Sequence, residues 1–143
     1  GEWWTNYINF AASKNYVNGY GDGMYYPEKP VSRAEFALLI ARYIGLKATD
    51  GYSQFSDIEN VPWCSGQIRA LADRGIINGY SDGTFRPNDY ITRAETVTLI
   101  NRALNRKASG EFIDSAECPF EDIMRSYWAY GDIIGASVKY EIK

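Results

Sequence analysis

Asn78-Gly79-Tyr80-Ser81-Asp82-Gly83, followed by Thr92-Arg93-Ala94-Glu95, decides how this chain is read, because both stretches occur twice. Asn18-Gly19-Tyr20-Gly21-Asp22-Gly23 and Ser32-Arg33-Ala34-Glu35 stand 60 residues upstream of them. At the same offset and without a gap, Trp3, Ile8, Pro27, Leu39, Ile40 and Arg42 fall on Trp63, Ile68, Pro87, Leu99, Ile100 and Arg102. A constant offset across separate landmarks marks an internal repeat, and each shared residue belongs to a repeated architecture or to a site that exists twice. A partial third copy follows: Phe55-Ser56-Asp57-Ile58, Trp63 and Ile68 return as Phe120-Glu121-Asp122-Ile123, Trp128 and Ile133 at an offset of 65. The extra residues are placed in the stretch from Lys107 to Pro119. The copies divide as residues 1–46, 47–106 and 107–143, expected to form one structural domain.

Around the repeated stretches each unit spells helix, glycine turn, extended segment, helix. The first helix starts at the tryptophan, with stripes Trp3, Tyr7/Ile8, Ala11/Ala12 and Trp63, Ile68, Leu71/Ala72, and Trp128, Asp132/Ile133, Ala136/Ser137 in the third copy. Gly75 is placed to cap its end in copy two. The Asn-Gly and Asp-Gly pairs ask for positive φ or tight local hydrogen bonding. Met24-Tyr25-Tyr26-Pro27 and Thr84-Phe85-Arg86-Pro87 are expected to be extended, since a residue before proline is biased away from helix. Ser32 and Thr92, each with a Glu three residues on, form capping boxes for the second helix, and Gly45 ends the first of these. The expected fold class is all-α and repeat-built, with short strands at the Phe-x-Asp and Gly-Tyr segments.

Composition narrows the function. The chain has 143 residues, enough for a real core. Its formal charge of -3 opposes nucleic-acid binding, which needs a basic field. No apolar run is long enough to span a bilayer and no signal-like segment is present. The first residue is Gly rather than Met, so an upstream piece is expected. With no histidine, the commonest general base and zinc ligand are missing. Cys64 and Cys118 are not in a metal-binding pattern; either two free thiols or a disulfide fits their spacing. Asp22 and Asp82 fail as calcium loops, because the twelfth position of such a loop is Lys29 in one copy and a short Asp89 in the other. An Asx-type turn explains them better. Aromatic residues make up 15% of the chain, suiting both cores and sugar-stacking surfaces.

Taken together, Phe55-x-Asp57, Trp63, Ile76-Ile77-Asn78-Gly79-Tyr80-Ser81-Asp82-Gly83-Thr84-Phe85-Arg86-Pro87 and Ile91-Thr92-Arg93-Ala94-Glu95 resemble the S-layer homology repeat. Copy two matches throughout, copy one nearly so, and the closing segment is similar to a truncated terminal unit of clostridial-type members. The resemblance implies a pseudo-threefold, spindle-like domain that attaches surface proteins to the bacterial wall. It also implies binding of secondary cell-wall polysaccharide, often through a pyruvylated sugar, in grooves between neighbouring units. Carried over by motif, the implied contacts are Arg33 and Arg93, Tyr20 and Tyr80, Gly21 and Asp22, Ser81 and Asp82, and Trp63 and Trp128.

The capping box explains Ser32, Thr92, Glu35 and Glu95 but does not ask for arginine beside them, where the helix dipole slightly opposes a cation. Two readings stay open for Arg33 and Arg93: an ion pair with Asp57 or Asp122, or a two-pronged clamp on a sugar carboxylate. Each repeated carboxylate already has a turn or capping role, so no acid–base pair is left for glycoside hydrolysis. The expectation is a non-enzymatic, cofactor-free and metal-free module at the extracellular cell wall, binding an acidic polysaccharide. The alternative is an assembly protein that joins head to tail through its incomplete repeats into a layer or filament.

Overall fold

The computed structural model describes residues 2–137. They form six α-helices: α1 (Thr5–Ser13), α2 (Arg33–Tyr43), α3 (Ser65–Asp73), α4 (Arg93–Ala103), α5 (Gly110–Ser115) and α6 (Tyr130–Ser137), with a 3-10 turn at Ile58–Asn60. Among the described residues the expected strands at the Phe-x-Asp segments do not form. One isolated antiparallel bridge, Ser32 with Tyr90, is the extended pairing present. The fold is all-α and repeat-built. No described helix is long and apolar enough to cross a membrane.

Helix ends follow local chemistry. Both capping boxes close, with Ser32 and Thr92 accepting from the amides of Glu35 and Glu95 while each Glu carboxylate accepts from the cap amide. The C-terminal ends share one device. Asn15, Gly45, Gly75 and Asn105 all have positive φ, at 59°, 67°, 67° and 51°. Each sits two residues past its helix, and the next amide reaches back to the third-last helical carbonyl: Tyr16 to Ala11, Leu46 to Ala41, Ile76 to Leu71, Arg106 to Asn101. These are Schellman ends, and Asn and Gly exchange between copies because both tolerate the left-handed region. The repeated tryptophans Trp3, Trp63 and Trp128 lie outside the helices, two residues ahead of α1, α3 and α6. The stretch from Lys107 to Pro119, where the extra residues fall, holds α5, capped by the Ser109 hydroxyl accepting from the Phe112 amide.

The chain divides into two compact units, residues 1–90 and 91–143, so the break falls inside the second sequence repeat. The helix pairing has the same phase. In the first unit α2 packs on α3, and in the second α4 packs on α6. In both cases the second helix of one repeat meets the first helix of the next. Ala34, Ala37, Ile40 and Ala41 of α2 are buried, as are Ile68 and Leu71 of α3. Each large aliphatic side chain so buried contributes about 1.5–3 kcal/mol. In the second unit Leu99, Tyr130 and Ile134 are buried, and the Asn101 amide donates to the Asp132 carbonyl at 3.0 Å. The buried face of α6 is therefore Tyr130/Ile134, one residue away from the expected Asp132/Ile133 stripe. Helix α1 buries none of its residues.

The Phe-x-Asp motif supports the glycine turn of its own repeat. Phe55 lies 5.5 Å, ring centre to ring centre, from Phe85. Its ring also covers Gly79, where a Cβ would come within 2.4 Å of the Phe55 Cε1. Asp57 accepts from the successive amides of Phe85 and Arg86, both at 2.8 Å. Its carboxylate therefore serves the backbone, and the expected ion pair between Asp57 and an arginine is not what it makes. Phe120, the third copy's counterpart of Phe55, is 42% exposed against 5%. The residues before proline also depart from the extended expectation: Tyr26 and Arg86 have φ of 55° and 57°. Such a conformation costs of order 1–3 kcal/mol and persists only where surrounding contacts hold it. At Arg86 the Asp57 carboxylate is such a contact.

Candidate functional site

An open cleft of 560 Å³ lies in the first unit, built from the first repeat's glycine turn, one face of α2, and Trp63 from the turn before α3. Glu35, Leu38/Leu39 and Arg42 face it from α2 at intervals of about a helical turn. Tyr16, Tyr20, Tyr25 and Tyr26 also line it. Tyr20 is held from two sides. Its hydroxyl donates to Glu35 Oε1 at 2.6 Å, and the Lys29 ammonium stands 4.0 Å from its ring centre. The bond to Glu35 raises the Tyr20 phenol above its ordinary value. Burial alone would raise Glu35, but the hydrogen bonds from Tyr20 and Ser32 outweigh it and leave the carboxyl below its usual value. Both Glu35 oxygens are thus committed, the second to the Ser32 amide at 2.8 Å. Trp63 is 52% exposed, leaving its indole accessible at the cleft.

The turn residues divide into anchors and open positions. Asp22 accepts from the Met24 amide at 2.9 Å and from the Tyr26 hydroxyl at 2.5 Å. Asp82 accepts from the Thr84 amide and hydroxyl at 3.0 and 2.6 Å and pairs with Arg86 at 2.9 Å. The Thr84 hydroxyl is the first cause, and Arg86 the second, of an Asp82 carboxyl lowered to about 2. Both aspartates are engaged in holding the turn. Gly21 and Ser81, at equivalent positions, are exposed, and a Cβ at Gly21 would meet nothing within 4 Å.

The two arginines have unlike surroundings. Arg33 is 8% exposed; its Nε donates to the Phe85 carbonyl at 2.8 Å, and its guanidinium carbon lies 4.8 Å from the ring centres of both Tyr80 and Phe85. Arg86 also lies over Tyr80, at 3.9 Å. Arg33 therefore joins the start of α2 to the glycine turn of the following repeat. Arg93 belongs to the second unit and is exposed at the first position of α4. Trp128, also in that unit, is exposed beside Tyr127 with ring centres 5.8 Å apart.

Of the residues singled out in the sequence, the cleft brings together Tyr20 and Trp63. Lys29, Glu35, Arg42 and the tyrosines at 16, 25 and 26 complete it and were not singled out as ligand contacts. Arg42 recurs as Arg102, and it sits seven residues after Glu35; those two facts together place it on the capped helix's outward face. Lys29 gives no such signal, since copy two has Asp89 in its place. Cys64 is buried, which pushes its thiol up to about 12, and both cysteines are free. Among the described residues no group of acidic, Cys or His side chains is placed to hold a metal ion.

An all-α repeat module with an open, aromatic-lined cleft has the construction of a binding domain. The chain belongs to the S-layer homology domain family, whose profile matches residues 1–37 and 54–97. It is 37% identical over 143 residues to cell surface glycoprotein 1 of Acetivibrio thermocellus, an alignment covering 93% of this chain and 6% of that protein. It is also 37% identical over 141 residues to a cellulosome-anchoring protein of the same organism, covering 95% of this chain and 30% of the relative. A middle cell wall protein of Brevibacillus brevis is 38% identical over 97 residues, covering 65% of this chain and 9% of that protein. The chain thus spans under a third of the length of these relatives.

Proposed function

We propose that this chain is a non-catalytic anchoring module that holds a larger protein on the bacterial cell wall by binding wall polysaccharide. The observation that carries this reading is the first-unit cleft: an exposed indole, several tyrosines and the polar side chains of Lys29, Glu35 and Arg42 in its lining suit the apolar face and hydroxyl rim of a sugar. Membership of a family whose relatives include a cellulosome-anchoring protein and cell-wall proteins supports it. The ligand is an acidic polysaccharide, with a pyruvylated sugar as the finer assignment. In the second unit Arg93 and Trp128 are the exposed candidates for carboxylate and ring contacts, while Gly21 and Ser81 present the turn's open edge. Low affinity per site is offset when a polymer engages more than one. Retention on purified wall sacculi tests the reading: Trp63→Ala should lower retention, and a wild-type chain that is not retained refutes wall binding.

A second reading, assembly between copies, is favoured by α1. Tyr7 and Phe10 are exposed on it, and Trp3 just ahead of it, an apolar run of the kind that marks an interaction surface. Light scattering across a concentration series decides this one. A strict monomer at high concentration removes it.

A further inference from the structure

Helix α2 turns one cation toward the cleft that the fold itself does not use. Glu35, Leu39 and Arg42 line the cleft from this helix. Positions four and seven residues on return to the same helical face, so the three form one row of about 10 Å along the axis, longer than a single sugar ring. The ends of that row differ. Glu35 accepts from the Tyr20 hydroxyl at 2.6 Å and from the Ser32 amide at 2.8 Å. Arg42, at the other end, is half-buried, and its guanidinium has no hydrogen-bond, ion-pair or ring partner among the described residues.

The end of α2 does not claim the Arg42 side chain either. The carbonyls of Ile40, Ala41 and Arg42 accept from the amides of Ile44, Leu46 and Gly45. The helix dipole favours a cation in the last turn, but it does not choose the face on which that cation stands. The neighbouring cations are committed. Arg33 donates to the Phe85 carbonyl and lies against the Tyr80 and Phe85 rings, and Lys29 stands over the Tyr20 ring at 4.0 Å. Trp63 completes this part of the cleft from the turn before α3, offering an exposed indole face on which a sugar ring can lie.

We propose that Arg42 is the specificity-determining residue of this cleft, recognising the carboxylate of an acidic wall saccharide whose ring lies against Trp63. This rests on the wall-polysaccharide reading and deepens it, by giving the acid group a partner and a direction. The planar guanidinium meets both carboxylate oxygens at once. The carboxylate points toward the C-terminal end of α2 and away from Glu35, whose like charge repels it. Arg33, which the family resemblance put forward for acid recognition, is buried against two rings and serves the join between repeats.

The test uses the whole chain and soluble wall polysaccharide, either native or with its carboxylates reduced to alcohols. Affinity is read by calorimetry and the Trp63 indole is followed by NMR. The wild-type chain should bind the native polymer at least about tenfold more tightly than the reduced one, the scale of a hydrogen bond to a charged group. Arg42→Gln should lose that preference and bind both polymers as the wild type binds the reduced one, with the Trp63 indole still responding. Arg42→Lys should keep only part of it, because an ammonium does not reproduce the two-pronged contact. Arg74→Gln removes the same charge from an exposed position at the end of α3 and should leave the preference intact. An Arg42→Gln chain that still prefers the native polymer overturns the assignment, even if its affinity for both has dropped. Equal loss of preference in Arg74→Gln overturns it too, since the effect would then be one of net charge. Should Arg42→Gln not fold, Arg42→Lys decides: a preference equal to the wild type's refutes the two-pronged contact. A wild-type chain that binds both polymers equally refutes acid recognition and leaves wall binding standing. Binding to neither polymer removes the wall-binding reading, and this inference with it.

Discussion

Arg33 and Arg93 occupy the same place in the repeat and should behave as different residues. Removing Arg33 strands the Phe85 carbonyl and leaves a gap against Tyr80 and Phe85. Arg33→Ala is expected to lower stability by about 2–3 kcal/mol, the scale of a hydrogen bond to a charged group. Arg33→Lys should recover only part, because an ammonium lacks the flat guanidinium that fits between rings. Arg93→Ala should change stability by no more than about 0.5 kcal/mol, as for exposed positions generally. Urea unfolding of the three variants checks this, and equal losses at the two arginines would refute it. Nothing local distinguishes the two positions in sequence. What buries Arg33 is a carbonyl 52 residues further on, and a repeat alignment treats such partners as interchangeable when the fold does not.

Asp82 provides a prediction in pH. Its carboxyl lies at about 2 in the fold against an ordinary 3.8. The unfolded chain therefore binds a proton more readily across that interval, so stability rises with pH there. The contribution is present above about pH 4 and disappears as pH falls toward 2. Asp82→Asn should flatten this part of the acid-unfolding curve and leave the slope above pH 5 unchanged. An unaltered acid slope in the variant would show that Thr84 and Arg86 do not hold the ionised form.

At the scale of the element, the glycine turn separates two uses of glycine. Gly79 has φ 64° and lies under Phe55, with a Cβ position 2.4 Å from the ring and 2.6 Å from the Thr84 carbonyl. Gly23 has φ 80° with open space around it. Gly23→Ala should cost about 1–2 kcal/mol, from the backbone conformation alone. Gly79→Ala adds an overpacking penalty of about 1–3 kcal/mol. Thermal unfolding of both proteins gives the order, and a Gly79→Ala variant as stable as Gly23→Ala would mean that Phe55 moves aside freely. Several helix ends were legible in the sequence because their causes are local: a hydroxyl, a Glu three residues on, a Gly past the last turn; the Asn15 and Asn105 ends were not singled out. The Arg86 conformation was not legible, since the preference of a residue before proline is overridden there by the Asp57 carboxylate, which arrives from elsewhere in the chain. The cleft was half legible. Tyr20 and Trp63 recur as motif residues, whereas Lys29 and Tyr26 differ between copies and carry no repeat signal.

For the whole molecule, the repeat visible in the sequence and the unit that packs are out of phase. A fragment cut at the sequence repeat, residues 47–106, keeps Phe55, Asp57, Gly79 and Phe85 together but removes α2 from α3 and α6 from α4. It also loses Arg33, the donor to Phe85. A chain of that length buries only about 60% of its unfolded surface even when complete, so the loss of both helix partners leaves little to offset chain entropy. The fragment 1–90 instead keeps the α2–α3 pair, the buried Ile40, Ile68 and Leu71, and the turn with its arginine. It should unfold cooperatively in urea, with far-UV circular dichroism and tryptophan fluorescence changing together. The fragment 47–106 should show weak helicity and no sigmoidal transition. If 47–106 folds and 1–90 does not, the sequence repeat is the folding unit after all. In that case the helix pairing would follow from folding and would not be what drives it.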